Sequence, residues 1–355
     1  MKIAVLVSGG VDSSVALALL QQQGHDVTAY YLKIWLEDEL QYLGSCPWED
    51  DLDYVYATCE QLHVPLVILN LQKEYFDRVV AYTIAEVKRG HTPNPDMMCN
   101  ERIKFGVFYD RIDPSFERVA TGHYAGTESR NGSTWLTTTP DPIKDQTYFL
   151  AQLSQQQIHR AQFPLQPYTK TQIRQLAKDF NLPAAERKDS QGICFLGKIP
   201  YDEFLKFYLG EKPGAIVEFE TGKTIGEHPG FYFYTIGQRH GIRLSGGPWY
   251  VVQKNVVQNT ILVSKQYDRL TRARSEFVVD NINWIAGQTP TTSELMIKLR
   301  HGPQQTAATI TLRSASAATV KLQQPDAGIA PGQFAVFYDG QYCLGGGTIT
   351  DDTDT

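Results

Sequence analysis

The chain has 355 residues, which is too long for one ordinary core and favours two or three folded units. Its hydrophobic fraction of 42% and charged fraction of 20% are typical of soluble globular proteins, and no stretch approaches the ~18 apolar residues of a membrane helix. The net charge of −6 argues against nonspecific nucleic-acid binding. We expect a cytoplasmic protein, because the apolar residues 2–7 run straight into Gly9 and Asp12 without a signal-peptide cleavage site.

Apolar runs alternate with amphipathic stretches in the first half of the chain. The predicted strands are Ile3–Val7, Val27–Trp35, Pro65–Asn70 and Arg118–Gly122. The predicted helices are Leu52–Leu62, Tyr75–Arg89 and the regions around Asp145–Gln156 and Lys170–Phe180. This alternation is typical of a parallel sheet with helices on both faces. We therefore predict an α/β fold class for this half.

After Pro213 the chain changes to short β-prone runs separated by glycine. The runs are Gly230–Ile236, Trp249–Val252, Thr260–Val263 and Phe334–Tyr338. They predict a small central β-rich domain and a C-terminal β-barrel. The expected division is 1–204, 205–270 and 271–350, followed by a disordered acidic tail at 351–355.

The first strand leads into the segment Ser8-Gly9-Gly10-Val11-Asp12-Ser13-Ser14 and then into a helix that ends near Gly24. Paired glycines let backbone amides approach an anion, and a helix N-terminus adds donors and partial positive charge, so phosphate is the natural ligand. The segment lacks the GK[ST] ending of a Walker loop, which argues against a kinase or a GTPase. A Gly-containing turn capped by Ser and Asp is the alternative interpretation.

The five cysteines are odd in number and widely spaced, which argues against a disulfide framework and a paired-Cys metal site. Cys99 follows Pro93 and Pro95, and Asn100 is expected to cap a helix that begins near Glu101. A thiol beside a helix N-terminus is biased toward thiolate, and Asp96 is close enough in sequence to accept its proton.

Cys194 lies in the polar turn Lys188-Asp189-Ser190-Gln191-Gly192-Ile193-Cys194-Phe195. Taken alone, each of Cys99 and Cys194 is better interpreted as a plain buried thiol, since free cysteine is among the most buried residue types. Cys59 and Cys343 are predicted to be structural, and Cys46 to lie in a surface loop.

Seven further strings occur in order along the chain. They are Thr92-Pro93-Asn94-Pro95-Asp96, Ile103-Lys104-Phe105, Ala120-Thr121-Gly122-His123-Tyr124, Lys144-Asp145-Gln146-Thr147-Tyr148-Phe149-Leu150, Phe163-Pro164-Leu165, Gly192-Ile193-Cys194-Phe195 and Tyr234-Thr235-Ile236-Gly237-Gln238-Arg239. Together with the phosphate segment, which resembles the pyrophosphate loop of enzymes that split ATP between its α and β phosphates, they resemble the tRNA-uridine 2-sulfurtransferase family. Those enzymes make 2-thiouridine at the wobble position of tRNA.

The resemblance implies a role for each matching residue. Cys99 would be the catalytic nucleophile and Cys194 the persulfide carrier, with Asp96 as acid/base partner and a Cys99–Cys194 disulfide formed in the cycle. The nucleotide would be held by residues that the family uses for ATP, namely Ser8, Gly9, Gly10, Val11, Asp12, Ser13, Ser14, Leu32 and Gly122. The implied tRNA contacts are Asn94, Pro95, Asp96, His123, Lys144, Asp145, Gln146, Arg300, His301 and Gln333.

The resemblance also implies ATP as cosubstrate with Mg²⁺, a persulfide sulfur donor, a thiol reductant and no membrane partner. No protein metal site is expected. The family commonly shows a string like KIRYR. This chain has Lys298-Leu299-Arg300-His301-Gly302 there and lacks the last arginine, so it departs from the family pattern at the expected contacts of Arg300 and His301. An amide-forming ligase of the same loop superfamily, or an RNA-binding module without chemistry, are the alternatives; neither would depend on both thiols.

Overall fold

The computed structural model describes residues 1–34, 48–189, 199–266, 274–326 and 328–350. The predicted strand end at Trp35, the loop with Cys46, the persulfide candidate Cys194 and the tail 351–355 lie outside this part of the chain.

The N-terminal elements alternate as the sequence predicts. In chain order they are β1 (Lys2–Leu6), α1 (Val11–Gln22), β2 (Asp26–Lys33), α2 (Trp48–Leu62), β3 (Leu66–Asn70), α3 (Gln72–Tyr75), a π-helical segment (Phe76–Val80), α4 (Ala81–Lys88), α5 (Pro95–Cys99), a second π-helical segment (Asn100–Val107), α6 (Phe108–Arg111), β4 (Arg118–Ala120), β5 (Gly126–Arg130), β6 (Ser133–Thr137), a 3-10 turn (Thr147–Leu150), α7 (Gln155–Arg160), β7 (Ala161–Gln162) and α8 (Lys170–Asp179).

Five of these strands form one parallel sheet in the order β3-β2-β1-β4-β7. Side chains alternate across β1, so that Ile3 and Val5 pack with α1 and α2 while Ala4 and Leu6 pack with α6 on the opposite face. The predicted α/β fold with helices on both faces is confirmed. The carboxyl end of the central strand β1 leads directly into the phosphate segment.

The helix predicted around Asp145–Gln156 is wrong. A 3-10 turn occupies Thr147–Leu150, and α7 starts separately at Gln155. Ser154 and Gln157 form a capping box, in which each side chain binds the other residue's backbone amide, and this begins a new helix rather than continuing an old one.

The central region contains α9 (Tyr201–Leu209), β8 (Gly214–Glu218), β9 (Thr224–His228), a 3-10 turn (Phe231–Phe233), β10 (Tyr250–Asn255) and β11 (Thr260–Ser264). Its four strands form a sheet in the order β10-β11-β8-β9. The strand predicted at Gly230–Ile236 is wrong. The aromatic residues that suggested it are buried in a turn, because β-propensity measures fit to a half-buried surface and not strand geometry itself.

The last six strands are β12 (Arg274–Trp284), β13 (Glu294–Lys298), β14 (Thr306–Ser314), β15 (Ala317–Asp326), β16 (Phe334–Asp339) and β17 (Tyr342–Thr350). They close into a barrel, because β12 pairs with both β15 and β17. This confirms the predicted C-terminal β-barrel. The hairpin β5–β6, which the sequence did not predict, extends the barrel sheet through pairing of β6 with β17.

No helix in the described ranges is both long and apolar enough to cross a membrane.

Candidate active site

The phosphate segment is a tight turn whose hydroxyls hold its own backbone. The Ser13 hydroxyl donates to the Gly10 carbonyl at 3.1 Å and accepts from the Ser8 amide at 3.1 Å, and the Ser14 hydroxyl donates to Gly10 at 3.0 Å. No described side chain caps the start of α1, whereas α7 and α8 both begin with capping boxes. The first-turn amides of α1 are therefore available to an anionic ligand.

Two glycines are required by close approaches at this turn. A Cβ on Gly122 would lie 2.7 Å from the Ser13 amide nitrogen, and Gly9 has a φ of +74° with Asp51 backbone 2.5 Å from its ideal Cβ position. Gly122 lies two residues beyond the end of β4, so the segment that leaves this strand packs against the phosphate segment. The structure thus brings together Gly122 and Ser8–Ser14, while Leu32 lies at the same edge near the end of β2.

A cluster of ion pairs surrounds the segment, and sequence reasoning missed it. The Lys170 ammonium lies 2.7 Å from Asp12 and 2.8 Å from Asp189, and Arg174 also pairs with Asp189. Lys144 donates to Asp189 at 2.8 Å. The segment has no lysine of its own, but the fold supplies one from α8.

Arg187 joins the same edge from another direction. Its guanidinium donates to the Gly9 carbonyl at 2.9 Å and pairs with Asp51 at the start of α2. The hydroxyl of buried Tyr124 donates to Asp12 at 2.8 Å. Residues 160–213 contain nine Lys and Arg against six Asp and Glu, but this local excess does not indicate which carboxylates Lys170, Arg174 and Arg187 meet.

Asp189 is the acidic centre of this cluster. Desolvation by partial burial opposes its ionisation, but hydrogen bonds from Lys144 and Lys170 outweigh that effect and hold the pKa of Asp189 well below its usual range. The carboxylate is ionised at neutral pH. A polyphosphate bound at the loop would be negatively charged like this carboxylate, and Lys144 and Lys170 could pair with it in the same way.

Cys99 does not lie beside a helix N-terminus capped by Asn100, so that part of the sequence prediction is wrong. Asn94 caps the helix instead, accepting from the Met97 amide at 3.1 Å, and α5 ends at Cys99 before the π-helical segment continues. Asn100 donates to the Phe149 carbonyl at 3.1 Å. Cys99 is 1% exposed, and Asp96 lies three residues before it, which places both on one helix face.

The wide turn after Cys99 has an identifiable cause. Gln157 from α7 donates to the carbonyls of Glu101 and Phe105 at 2.8 and 2.9 Å, and Gly106 permits a close approach to Glu101. A side chain that inserts into the helical hydrogen-bond ladder produces such a π-helical segment, which is frequent at functional sites.

His123 connects the loop side of the site to the Cys99 helix. It follows Gly122, and its ring lies 6.3 Å from that of Phe105 in the π-helical segment. Its Nδ1 is 2.7 Å from the Thr121 hydroxyl. Desolvation, with the nearby positive charge of Lys104, lowers the pKa of His123 well below its ordinary value, so the ring is neutral at pH 7.

The three adjacent residues Lys144, Asp145 and Gln146 point in different directions. Lys144 is half-exposed at the ion cluster, and Gln146 accepts from the Tyr124 amide at 3.0 Å. Asp145 is buried, with its carboxylate 2.8 Å from Lys298 of the barrel; both side chains are 3% exposed. Its predicted contact with tRNA stays a prediction, and the structure gives its side chain a partner inside the protein.

The remaining candidates lie in the barrel region. Arg300 is 58% exposed and pairs with Asp326, while the His301 ring stacks on Phe149 at 4.8 Å and lies 3.2 Å from the Asp145 carbonyl. Gln333 follows Gly332, whose ideal Cβ position is 2.7 Å from His91. The turn that carries Gln333 therefore abuts the approach to Asn94.

Two other thiols are unsuited to chemistry. Burial raises the pKa of Cys59 to about 11, and burial together with the charge of Asp145 raises the pKa of Cys343 to about 12. Both are free thiols in the core, as the sequence predicted. The described residues contain no group of three or more His, Cys, Asp or Glu able to hold a metal ion.

A parallel sheet whose central strand runs into an uncapped Gly-Gly helix start, without a Walker lysine, defines an α/β nucleotide-binding enzyme. Residues 1–198 match the family model described as tRNA methyl transferase HUP domain, 202–265 the tRNA methyl transferase PRC-barrel domain and 274–349 the aminomethyltransferase beta-barrel domain.

Three curated relatives carry the name tRNA-specific 2-thiouridylase MnmA. The protein of Parabacteroides distasonis is 46% identical over 99% of this chain and 100% of its own length. Those of Porphyromonas gingivalis and Bacteroides thetaiotaomicron are 45% and 44% identical over 99% of this chain and 99% and 100% of their own lengths. The chain belongs to the tRNA-specific 2-thiouridylase family, and the resemblance seen in the sequence is confirmed.

Proposed function

We propose that this protein is an ATP-dependent sulfurtransferase that converts the wobble uridine of tRNA to 2-thiouridine in the cytoplasm. One observation carries the proposal. In this chain of the 2-thiouridylase family, Gly122 and His123 link an uncapped phosphate loop to the helix that holds the buried Cys99. Residues 1–204 would perform the chemistry, while the barrel domain 271–350 would contact tRNA.

The residues at the sheet edge fit ATP. The backbone amides after Gly10 would donate hydrogen bonds to phosphate oxygens. Lys170 and Arg187 would offset the negative charge of the phosphates, with Mg²⁺ accompanying the nucleotide. ATP supplies an adenylyl group, which turns the uridine 2-oxygen into a leaving group with loss of pyrophosphate. Gly122 and Leu32 would border the nucleotide.

The two cysteines would then exchange that oxygen for sulfur. The terminal sulfur of a Cys194 persulfide bonds to C2 as AMP leaves, and the Cys99 thiolate attacks the Cys194 sulfur, which frees the thiocarbonyl and leaves a Cys99–Cys194 disulfide. In the other order, Cys99 attacks the Cys194 sulfur first, which forms the disulfide and releases hydrosulfide, and the hydrosulfide then bonds to C2 as AMP leaves. Asp96, on the same helix face, would accept the Cys99 proton.

Each cycle has two external requirements. A persulfide-carrying protein must reload Cys194 with sulfur, and a dithiol reductant must return two electrons to the disulfide. The tRNA contacts that the resemblance implies are Asn94, Pro95, Asp96, His123, Lys144, Asp145, Gln146, Arg300, His301 and Gln333.

The test is a reconstituted reaction of the full chain with tRNA, ATP and a persulfide donor. Pyrophosphate release and the mass of the wobble nucleoside are both measured. We expect Cys194→Ala and Cys99→Ala to abolish 2-thiouridine, and tRNA from cells that rely on Cys194→Ala to lack it.

Cys59→Ala is the matched control, because Cys59 is a core thiol whose raised pKa keeps it protonated. Normal 2-thiouridine in the Cys194 variant would refute the proposal. Ammonia-dependent pyrophosphate release without tRNA, unaffected by either thiol, would indicate the amide-forming ligase instead.

A further inference from the structure

The second half of the central region has an unusual charge composition. Residues 228–266 contain four basic residues, Arg239, Arg243, Lys254 and Lys265, and no Asp or Glu, in a chain of net charge −6. The preceding residues 205–227 contain four Glu and three Lys. Positive charge is therefore separated from negative charge within one small region, which is the electrostatic signature of a surface that meets a polyanion.

Three of these cations surround a single depression. Residues 237–249 form a loop that lines an open cavity of about 430 Å³, and Arg239, His240 and Arg243 are exposed at its wall. The Lys265 ammonium lies 4.6 Å from the ring centre of Trp249 at the same place. We call residues 237–249 with Lys265 the basic loop. Within the described ranges, no carboxylate lies within ion-pair distance of Arg239, Arg243 or Lys265.

Hydrogen bonds and buried side chains hold the backbone of the basic loop. The Gln238 side chain accepts from the Thr235 amide at 2.9 Å and donates to the His240 carbonyl at 2.9 Å. Ile242 and Trp249 are buried, and the Trp249 indole donates to the Ser245 carbonyl at 3.0 Å. The arginine side chains are thus displayed from a backbone that packing and hydrogen bonds already hold.

Arg243 has a φ of +56°, a left-handed conformation that residues other than glycine rarely adopt. This backbone conformation sets the direction in which the exposed Arg243 side chain leaves the loop. Because Trp249 is only 7% exposed, the loop offers charge without an open aromatic face. That combination suits phosphate groups and not stacked bases.

The central region also adjoins the candidate site. The Val256 side chain lies 2.6 Å from the ideal Cβ position of Gly90, four residues before Asn94. Ile242 and Trp249 belong to the same continuous hydrophobic cluster as Met97 and Cys99. A polymer bound at Asn94–Asp96 would therefore have the central region beside it.

We propose that the basic loop binds backbone phosphates of the tRNA substrate, independently of sequence. This rests on the proposed function, because it takes tRNA as the substrate of the neighbouring site. The contact would add affinity and orientation while leaving the reacting sulfur atoms to Cys99 and Cys194. An acidic protein, such as a sulfur donor, is the competing occupant.

The experiment measures the Kd of the full chain for tRNA by fluorescence anisotropy at a series of salt concentrations. In R239Q/R243Q we expect the slope of log K against log salt to fall in magnitude by about 2, and Kd to rise about tenfold at moderate salt. R239K/R243K should restore most of the affinity, because a point charge suffices for a phosphate. K212Q/K223Q is the control, since it removes two charges from the Glu-containing half of the same region.

Unchanged binding in R239Q/R243Q, or equal losses in K212Q/K223Q, would overturn the inference. So would normal tRNA binding together with weakened transfer from the sulfur-donor protein. Thiolation by the unsubstituted chain is assayed in parallel. If it binds tRNA with the expected salt slope but makes no 2-thiouridine, the proposed function fails while the basic loop stands.

Discussion

Two ion-pair systems in this protein differ in how far they are removed from water. Around the phosphate loop, Lys170 is 15% exposed and its partners Asp12 and Asp189 are 31% and 30% exposed. Between the catalytic region and the barrel, Asp145 and Lys298 are each 3% exposed. Both systems use Lys–Asp pairs near 2.8 Å, so distance alone does not distinguish them.

Burial decides what each system can do. Lys170 and its neighbours share several carboxylates near water, so a phosphate ligand can take over part of their charge at moderate cost. The Asp145–Lys298 pair has lost its hydration, and breaking it would leave a charge without compensation. The first system is suited to binding, and the second fixes the barrel against residues 145–150.

The largest expected effect comes from breaking the buried pair. Lys298→Met leaves the Asp145 carboxylate unpaired in the core, so the free energy of unfolding should fall by about 3–5 kcal/mol. Chemical denaturation monitored by fluorescence measures this loss. The double variant D145N/K298M removes both charges and should recover much of it. Equal instability of the single and double variants would contradict a role for the pair itself.

The next effect is on chemistry and not on stability. Lys170→Met should lower the kcat/KM of ATP-dependent pyrophosphate release about 100-fold, because a cation near developing phosphate charge contributes on the order of 3 kcal/mol. Stability should change by less than about 1 kcal/mol, since the pair is partly solvated. Lys178→Met, on the same helix but paired with the 84% exposed Glu186, is the control. If Lys170→Met lost much stability but kept its kcat/KM, the Lys170 cluster would be structural and not suited to binding.

A smaller effect concerns pH. The folded-state pKa of Asp189 is depressed below its unfolded value of about 3.9, so its stabilising contribution is complete above that value and is lost as the pH falls toward the folded pKa. Asp189→Asn should cost about 1 kcal/mol at neutral pH and flatten the acid limb. Free energies of unfolding measured between pH 5 and pH 2 test this. If both proteins lose stability equally as the pH falls, Asp189 is excluded as a source of the acid-dependent loss.

The smallest effect belongs to an exposed ion pair of the barrel region, Arg300 and Asp326. Arg300→Gln removes a partner of Asp326 at a 58% exposed side chain, so stability should change by less than about 0.5 kcal/mol. If Arg300 contacts tRNA, the salt slope of binding should fall by about 1. Calorimetric melting and salt-dependent binding separate the two roles. An unaltered slope would remove Arg300 from the tRNA contacts.

The α/β fold and the phosphate loop follow from the sequence because their signals are local. Alternating apolar runs specify β1 to β4, and Ser8–Ser14 is contiguous, so neither requires knowledge of distant contacts. The same holds for the cysteine strings, whose order along the chain carried the family resemblance.

The rest depends on where distant segments meet. Lys170 reaches Asp12 across 158 positions, and Lys298 reaches Asp145 across 153. No periodicity in one sequence encodes such pairs. The misplaced helix cap at Asn100 has another origin, because asparagine is a good cap at either position. Asn94 caps the helix, whereas the Asn100 side chain donates to the distant Phe149 carbonyl.

The hairpin that extends the barrel also constrains how the protein is made. Leu136 pairs with Cys343, so β6 leaves the ribosome 207 residues before its partner strand. At about 5–20 residues per second, that interval lasts on the order of 10–40 s. Throughout it, the nascent N-terminal half presents an unsatisfied strand edge, which makes residues 126–137 the place where chaperone binding or aggregation during synthesis would begin.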